Sequence, residues 1–316
     1  MSVISKLFAV RPTGTVDKVS IDPIETAAAL ASGYTNIVSL RVGDNPYLCA
    51  YNNKTGNTDL YLLTEAEPWM TLVESRIDLS GGPWDKLTTF ILGNDPYLLT
   101  YRAKDGMFNF YRVAPDLSAS PPYSFYFARN TPTAGFTEIA PISSLGAQYV
   151  LGYNFDDGTV AAFSVSVTTT SASGVPPLVA LNVWYHHWAK GWTRFAFFQL
   201  GGANFFFKIN TAKLNVNIDH LNDNPAAGTV EVGSFLQSQL PDALSITNSA
   251  ILPWSHGDPY LVTYISASGV TSVYRIHGDC LGWTETAKAT TVANASIVVP
   301  YAIGDNSYAL FYGANS

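Results

Sequence analysis

Gly43-Asp44-Asn45-Pro46-Tyr47-Leu48-Cys49-Ala50-Tyr51 and Gly93-Asn94-Asp95-Pro96-Tyr97-Leu98-Leu99-Thr100-Tyr101 are two copies of one phrase: a glycine turn running into a strand with aromatics four residues apart. Gly257-Asp258-Pro259-Tyr260-Leu261-Val262-Thr263-Tyr264 is a third. Upstream of each lies an opening pair, a large apolar residue followed by Thr, Ser or Asp. These pairs are Tyr34-Thr35, Trp84-Asp85, Phe136-Thr137, Trp192-Thr193, Leu244-Ser245 and Ala295-Ser296. Twelve residues after the polar member stands Tyr47, Tyr97, Tyr149, Phe205 or Tyr308; in the fifth copy Tyr260 is fifteen residues on, which places a three-residue insertion at 253–256. Tyr51, Tyr101, Tyr153, Tyr264 and Tyr312 follow four residues later, with Ile209 the exception. A turn glycine (Gly56, Gly106, Gly158, Gly269) and a third aromatic (Tyr61, Tyr111, Phe163, Tyr274) complete the unit.

Six units of about 50 to 56 residues, each built of short aromatic-rich strands, are the signature of a β-propeller, one four-stranded sheet per unit. A single blade cannot bury both faces, so neighbours must stack around an axis. The sequence therefore predicts an all-β, six-bladed propeller with antiparallel blades, forming one domain over residues 1–316. Blades are expected at about 34–82, 83–135, 136–191, 192–243, 244–294, and 295–316 joined to 1–33. The stretch 297–312 resembles the first half of a unit and 7–20 the second half, so the last blade is expected to draw on both ends of the chain. One helical turn is expected at Ile24–Ala31, after Pro23 and before Gly33.

Composition narrows the chemistry. Net charge is −7, charged residues are only 13%, and apolar residues reach 47%. No basic run exists, which argues against nucleic-acid binding, an affinity that rests on Lys and Arg neutralising phosphates. No apolar run is long enough for a transmembrane helix, and the start lacks a signal-peptide core. A cytoplasmic protein, or one released without a signal peptide, is expected. Cys49 and Cys280 fall in different blades and are expected to be free thiols. No zinc-protease helix, nucleophile elbow or phosphate loop occurs, and Asp156-Asp157-Gly158 reads as a hairpin turn rather than a calcium loop. No metal and no cofactor is expected. A paired-carboxylate glycosidase could assemble its acids from separate blades, but the acids do not recur at one repeat position.

What recurs is an aromatic beside a hydrogen-bonding residue, the combination that takes the apolar face and the hydroxyl equator of a sugar. Trp192, Arg194, Asp219 and His220 on the fourth blade are the leading candidates for carbohydrate contact. Trp84, Tyr97, Arg112, Tyr260, Arg275 and Trp283 are secondary. Many of these aromatics have an equally plain reading as packing between blades, and Arg112 and Arg275 as ion-pair partners.

The fourth unit, Trp188-Ala-Lys-Gly191-Trp192-Thr193-Arg-Phe195, then Phe205-Phe-Phe-Lys208 and Asn217-Ile218-Asp219-His220-Leu221, resembles the repeat of the mushroom N-acetylglucosamine-binding lectins typified by the six-bladed Agrocybe aegerita propeller. Gly191–Thr193 matches that family's Gly-Trp-Thr phrase; Pro-Tyr-Leu at Pro46, Pro96 and Pro259 stands where the family has Pro-His-Leu. The resemblance implies a fungal, multivalent, non-catalytic lectin that recognises glycans or glycoproteins, with N-acetylglucosamine the leading sugar, in shallow pockets between blades. A homodimer is compatible with it, and neither nucleic acid nor membrane insertion is expected. Two rival readings stand beside it. A protein-interaction scaffold would show a contiguous apolar patch on one end face. An enzyme would show Asp or Glu clustered with raised pKa at the central channel.

Overall fold

The computed structural model describes residues 3–13, 18–24, 30–114, 123–130, 134–144, 146–167, 178–210, 213, 215–222, 232–238, 245–253 and 257–314. They form six four-stranded antiparallel sheets. The sixth blade opens and closes the chain: β1 (Val3–Pro12) and β2 (Val19–Ile24) are its outer strands, and the last two strands of the chain are its inner ones. Blade one is β3 (Asn36–Val42), β4 (Asn45–Tyr51), β5 (Asn57–Leu63) and β6 (Met70–Asp78). Blade two is β7 (Lys86–Leu92), β8 (Asp95–Arg102), β9 (Met107–Val113) and β10 (Tyr123–Asn130). Blade three is β11 (Glu138–Ser144), β12 (Ala147–Tyr153), β13 (Thr159–Val167) and β14 (Leu178–His187). Blade four is β15 (Trp192–Leu200), β16 (Ala203–Asn210), β17 (Asn215–Leu221) and β18 (Val232–Ser238). Blade five is β19 (Asn248–Leu252), β20 (Tyr260–Ile265), β21 (Val270–Ile276) and β22 (Trp283–Thr290). β23 (Ile297–Ile303) and β24 (Asn306–Ala314) complete blade six, where Leu7 of β1 lies opposite Leu310 of β24. Of the helical turn expected at 24–31, Ile24 ends β2 and 25–29 lie outside the described residues. No described helix is long and apolar enough to cross a membrane. Both cysteines are free and buried.

The repeated residues have physical roles. The polar member of each opening pair fastens strand one of its blade to strand two. The Thr35, Thr137 and Thr193 hydroxyls donate to the carbonyls of Tyr51, Tyr153 and Ile209, each at 3.2 Å. Asp85 accepts from the Ala103 amide instead, at 2.7 Å. In the fifth blade this role falls to Thr247, whose hydroxyl and amide both reach the Tyr264 carbonyl. The opening pair there is Ile246-Thr247, not Leu244-Ser245, and the insertion before Tyr260 shrinks to a single residue.

The tyrosines four residues past each first aromatic bind the ring together. The backbone amide of the next blade's opening residue donates to each phenol: Trp84 to Tyr51 at 3.0 Å, Phe136 to Tyr101 at 3.0 Å, Trp192 to Tyr153 at 3.3 Å, Ala295 to Tyr264 at 3.0 Å and Tyr34 to Tyr312 at 3.1 Å. Three of these phenols also donate across the seam: Tyr153 to the Ala189 carbonyl, Tyr264 to Val292 and Tyr312 to Ala31. Only a side chain long enough to cross the blade interface, and able to accept and donate, fits this place. Ile209 cannot, and at its seam the Arg194 Nε donates to the Ile246 carbonyl at 3.0 Å. Tyr264→Phe strands a buried amide and a buried carbonyl together, so it is expected to cost about 1–3 kcal/mol. Chemical denaturation checks this, and a change within error would show that water replaces the phenol.

Around the axis the innermost strands β3, β7, β11, β15, β19 and β23 are neighbours. Hydroxyls on one fasten to carbonyls on the next: Thr89 to Ser39 at 2.9 Å and Ser249 to Arg194 at 3.0 Å.

Candidate active site

The residue just after each polar opener stands at the mouth of the axis, at the end where the innermost strands begin. Read round the ring, these are Asn36, Lys86, Glu138, Arg194, Asn248 and Ile297. Three consecutive blades thus bring a lysine, a glutamate and an arginine to adjacent strands. Lys86 Nζ lies 3.8 Å from Glu138 Oε1, across the seam between blades two and three. Arg194, at the same position of the next innermost strand, adds its positive charge to the field at Glu138.

Local backbone explains how Arg194 gets there. β15 carries a bulge: Thr193 faces Ile209 and Ala196 faces Phe207, so two residues of β15 occupy the place of one on β16. Arg194 takes φ of +58° in that bulge, a conformation uncommon for a residue with a Cβ, and bulges re-aim side chains in this way. Its Nε is fixed by the Ile246 carbonyl.

About a third of the Glu138 side-chain surface, 36%, is open. The rest is enclosed by protein. Burial holds its pKa above the ordinary carboxylate range, despite the opposing pull of Lys86 and Arg194. Burial likewise lowers the Arg194 pKa. A carboxyl that holds its proton above the usual range, beside two cations, can take and return a proton and can hold developing negative charge. Among the described residues no group of three or more His, Cys, Asp or Glu is placed to hold a metal ion.

Of the sugar-contact residues expected from sequence, Trp84, Tyr97, Trp192 and Asp219 are buried, and Arg112, Arg194, His220, Tyr260, Arg275 and Trp283 are half-buried. Trp84 is 0% exposed and Trp192 7%. The Trp84 Nε1 donates to the Leu79 carbonyl and its ring carries the Arg102 guanidinium at 5.4 Å. Trp192 covers the Lys208 ammonium at 4.3 Å. Asp219 is 1% exposed and forms a buried ion pair with Lys208, which Trp188 and Phe206 also enclose. His220 packs against Phe205 with ring centroids 5.1 Å apart. Tyr97 is buried and stacks on Phe90. Tyr260 is half-buried, and Trp283 lies edge-on to Phe207 of blade four. Arg112 and Arg275 are ion-paired within their blades to Asp95 at 2.8 Å and Asp258 at 3.7 Å, the acids of the Asp-Pro-Tyr turns. Of all these candidates only Arg194 reaches the axial mouth, and the sequence reading passed over Glu138 and Lys86 as site residues.

No family model matches the chain, and no curated protein is similar to it at a significant level. Solved structures are similar in fold. A Bacteroides uniformis protein provisionally named as a 6-phosphogluconolactonase is 12% identical over 94% of this chain and 86% of its own, with a TM-score of 0.50. The periplasmic gluconolactonase of Pseudomonas aeruginosa is 13% identical over 93% and 77%, with a TM-score of 0.50. The exo-β-1,3-galactanase of Phanerochaete chrysosporium is 10% identical over 92% of this chain and 61% of its own, again with a TM-score of 0.50. At such identities the likeness establishes the propeller fold.

These findings correct two expectations. The resemblance to mushroom lectins holds for the six-bladed architecture and does not extend to family membership. The reading of a non-catalytic lectin is overturned: the similar propellers bear the names of lactonases and a glycosidase, which are enzymes. The aromatic platforms that a lectin needs are, in this chain, largely enclosed between blades. The large apolar residues that stand exposed among those described, Leu72, Val73, Ile91, Tyr185 and Leu281, are scattered over four blades.

Proposed function

We propose that the protein is a propeller hydrolase acting at the axial mouth, with Glu138 as general acid–base and Lys86 and Arg194 as the cationic clamp. The observation that carries this reading is the Lys86–Glu138 pair at 3.8 Å, set across the seam of two neighbouring innermost strands at the axial mouth with the Arg194 strand next in the ring.

The residue set favours acyl over glycosidic chemistry. Glycoside hydrolysis in its usual form needs two carboxyls flanking the bond, and the ring of mouth residues holds one. Hydrolysis of a lactone or ester needs one base and a place for the oxyanion. Glu138 as carboxylate takes a proton from water while the water oxygen bonds to the carbonyl carbon. Lys86 and Arg194 hold the resulting oxyanion. When the intermediate collapses, the acyl C–O bond breaks and Glu138 returns the proton to the departing alkoxide. The excess of cations over the one carboxylate favours a substrate that carries negative charge. A sugar-derived lactone, the substrate class named for two of the similar propellers, has the required carbonyl and ring oxygen.

The test is a hydrolysis panel: neutral and phosphorylated aldonolactones, simple aryl esters, and aryl glycosides. Turnover of lactones or esters that greatly exceeds glycoside turnover is the expected result. Glycoside turnover alone would move the reaction class, and no turnover of any acyl substrate would sink the proposal.

A further inference from the structure

Blade six, built from both ends of the chain, meets blade one along a cleft of about 310 Å³. The blade-one wall is the turn between β5 and β6, with Glu67 and Trp69. The blade-six wall is β1 and β2, where Arg11 and Asp22 stand beside the apolar Ala9, Pro23 and Ile24. None of these residues belongs to the Glu138 mouth.

The groups that line this cleft face solvent. The Trp69 side chain is half-buried, and its one ring neighbour among the described residues is Tyr308. The two rings are tilted by 55° with centroids 6.2 Å apart, so Tyr308 is not stacked on the indole face. Asp22 is exposed, and its Oδ2 accepts from the Ser20 hydroxyl at 2.7 Å. A carboxylate can accept about four hydrogen bonds, so Asp22 has capacity to spare. Glu67 is exposed on the opposite wall. Arg11 hydrogen-bonds to the Tyr308 phenol, and the Glu65 carboxylate acts on that same phenol. Three carboxylates, Asp22, Glu65 and Glu67, thus stand against the Arg11 guanidinium at this seam, an excess of negative charge.

We propose that this cleft binds an organic cation: a primary ammonium on a short aliphatic stem, with its head between Asp22 and Glu67 and its stem along the Trp69 indole. An indole face attracts a cation as carboxylates do, and N–H donors with a positive charge suit the acceptors on both walls. Ala9, Pro23 and Ile24 give the stem apolar surface. An anion would meet the excess of negative charge. A metal ion finds no group of three or more ligating side chains among the described residues. The volume lies at the small end for ligand sites, which fits an amine of a few carbons. Because the head touches both walls, occupancy ties blade six to blade one and stabilises the closed ring. The proposal stands or falls independently of the hydrolase reading.

Butylammonium at neutral pH is the probe, with butanol and butyrate as neutral and anionic controls and glucose as a sugar. Titration of the Trp69 indole N–H resonance, identified by its loss in Trp69→Phe, reports occupancy. Butylammonium is expected to bind saturably with Kd of about 1–10 mM, about tenfold more tightly than any control, and more weakly as salt screens the carboxylates. The melting temperature should rise as the site fills. Asp22→Asn and Glu67→Gln, both at exposed positions, are each expected to weaken binding about threefold, and together about tenfold. N-acetyl-lysine amide tells the two sources of such a head apart: tighter binding than butylammonium names a polypeptide side chain, weaker binding a free amine. No saturable binding at about 10 mM, butanol or glucose bound as tightly as butylammonium, or an affinity indifferent to the double substitution overturns the proposal.

Discussion

Asp219→Ala is expected to lower the free energy of unfolding by about 3–5 kcal/mol, the scale set by removing one partner of a buried ion pair. Asp219 and Lys208 are both buried and face each other on adjacent strands of blade four. Trp188, Trp192 and Phe206 surround the ammonium with their ring centroids 4.3 to 5.1 Å away. Cation–π attraction offsets part of the desolvation, but burial still holds the Lys208 pKa below its ordinary value, against the pull of Asp219. Without Asp219 that ammonium has no counter-charge. A lysine whose folded pKa is depressed binds fewer protons in the folded state than in the unfolded one. Stability therefore rises with pH through the window from the depressed value to the ordinary one. The deficit of Asp219→Ala should thus be largest near neutral pH and shrink as the solution approaches the normal lysine pKa, or, in acid, as the parent's own Asp219 is protonated. Urea denaturation across pH measures it. Replacing both residues by apolar ones of similar volume is expected to restore most of the loss, which separates an electrostatic cause from a cavity. A single variant as stable as the parent at neutral pH would refute the account.

Glu138→Gln is the second large effect. As general acid–base, Glu138 contributes on the order of 10²–10⁴ to the rate, so kcat of the acyl hydrolysis should fall by about that factor. In the parent, the ascending limb of the pH–rate profile should lie above the ordinary carboxylate range, because burial raises the pKa. The same shift has a signature in stability that needs no substrate. A carboxyl with a raised folded pKa keeps its proton where the unfolded chain has lost it. Its contribution to stability is intact below the ordinary carboxylate pKa and diminishes as pH climbs through the raised value. Glu138→Gln should therefore melt higher than the parent at neutral pH, and the two should converge near pH 4. A variant that melts lower at neutral pH would show Glu138 to be a structural partner of Lys86 rather than a group held for chemistry.

Much of the ring could be read directly in the sequence, because the interactions that build it recur at fixed spacing. The opening hydroxyl that fastens two strands and the tyrosine that crosses to the next blade must be of one type at nearly every seam. The fifth opener was misplaced by two residues because Leu244-Ser245 and Ile246-Thr247 both satisfy the apolar-then-hydroxyl pattern, and only the bond to the Tyr264 carbonyl distinguishes them. The site was illegible for the opposite reason. The position after the opener is occupied by Asn36, Lys86, Glu138, Arg194, Asn248 and Ile297, so no repeated type marks it, and its meaning arises from juxtaposition around the axis. Trp192 and Asp219 are conspicuous in the sequence, although Lys208, with which they pack, carries the reason for both. The one signal in this charge-poor chain is positional: Lys86, Glu138 and Arg194 follow the opening pairs of three successive blades.

The pairing of β1 with β24 joins residues some three hundred positions apart. During synthesis Val3–Pro12 emerges ahead of the other strands described and can pair with β2 at once, but its other flank has no mate until β24 is made. Five complete sheets can assemble in the interval as an open arc, and the annulus shuts only after that last meeting, a slow step by virtue of its sequence separation. Until then β1 is a bare edge, the kind of surface that invites a neighbouring polypeptide. Lys6 and Arg11 lie along it, and charges so placed are a recognised guard against unwanted strand addition.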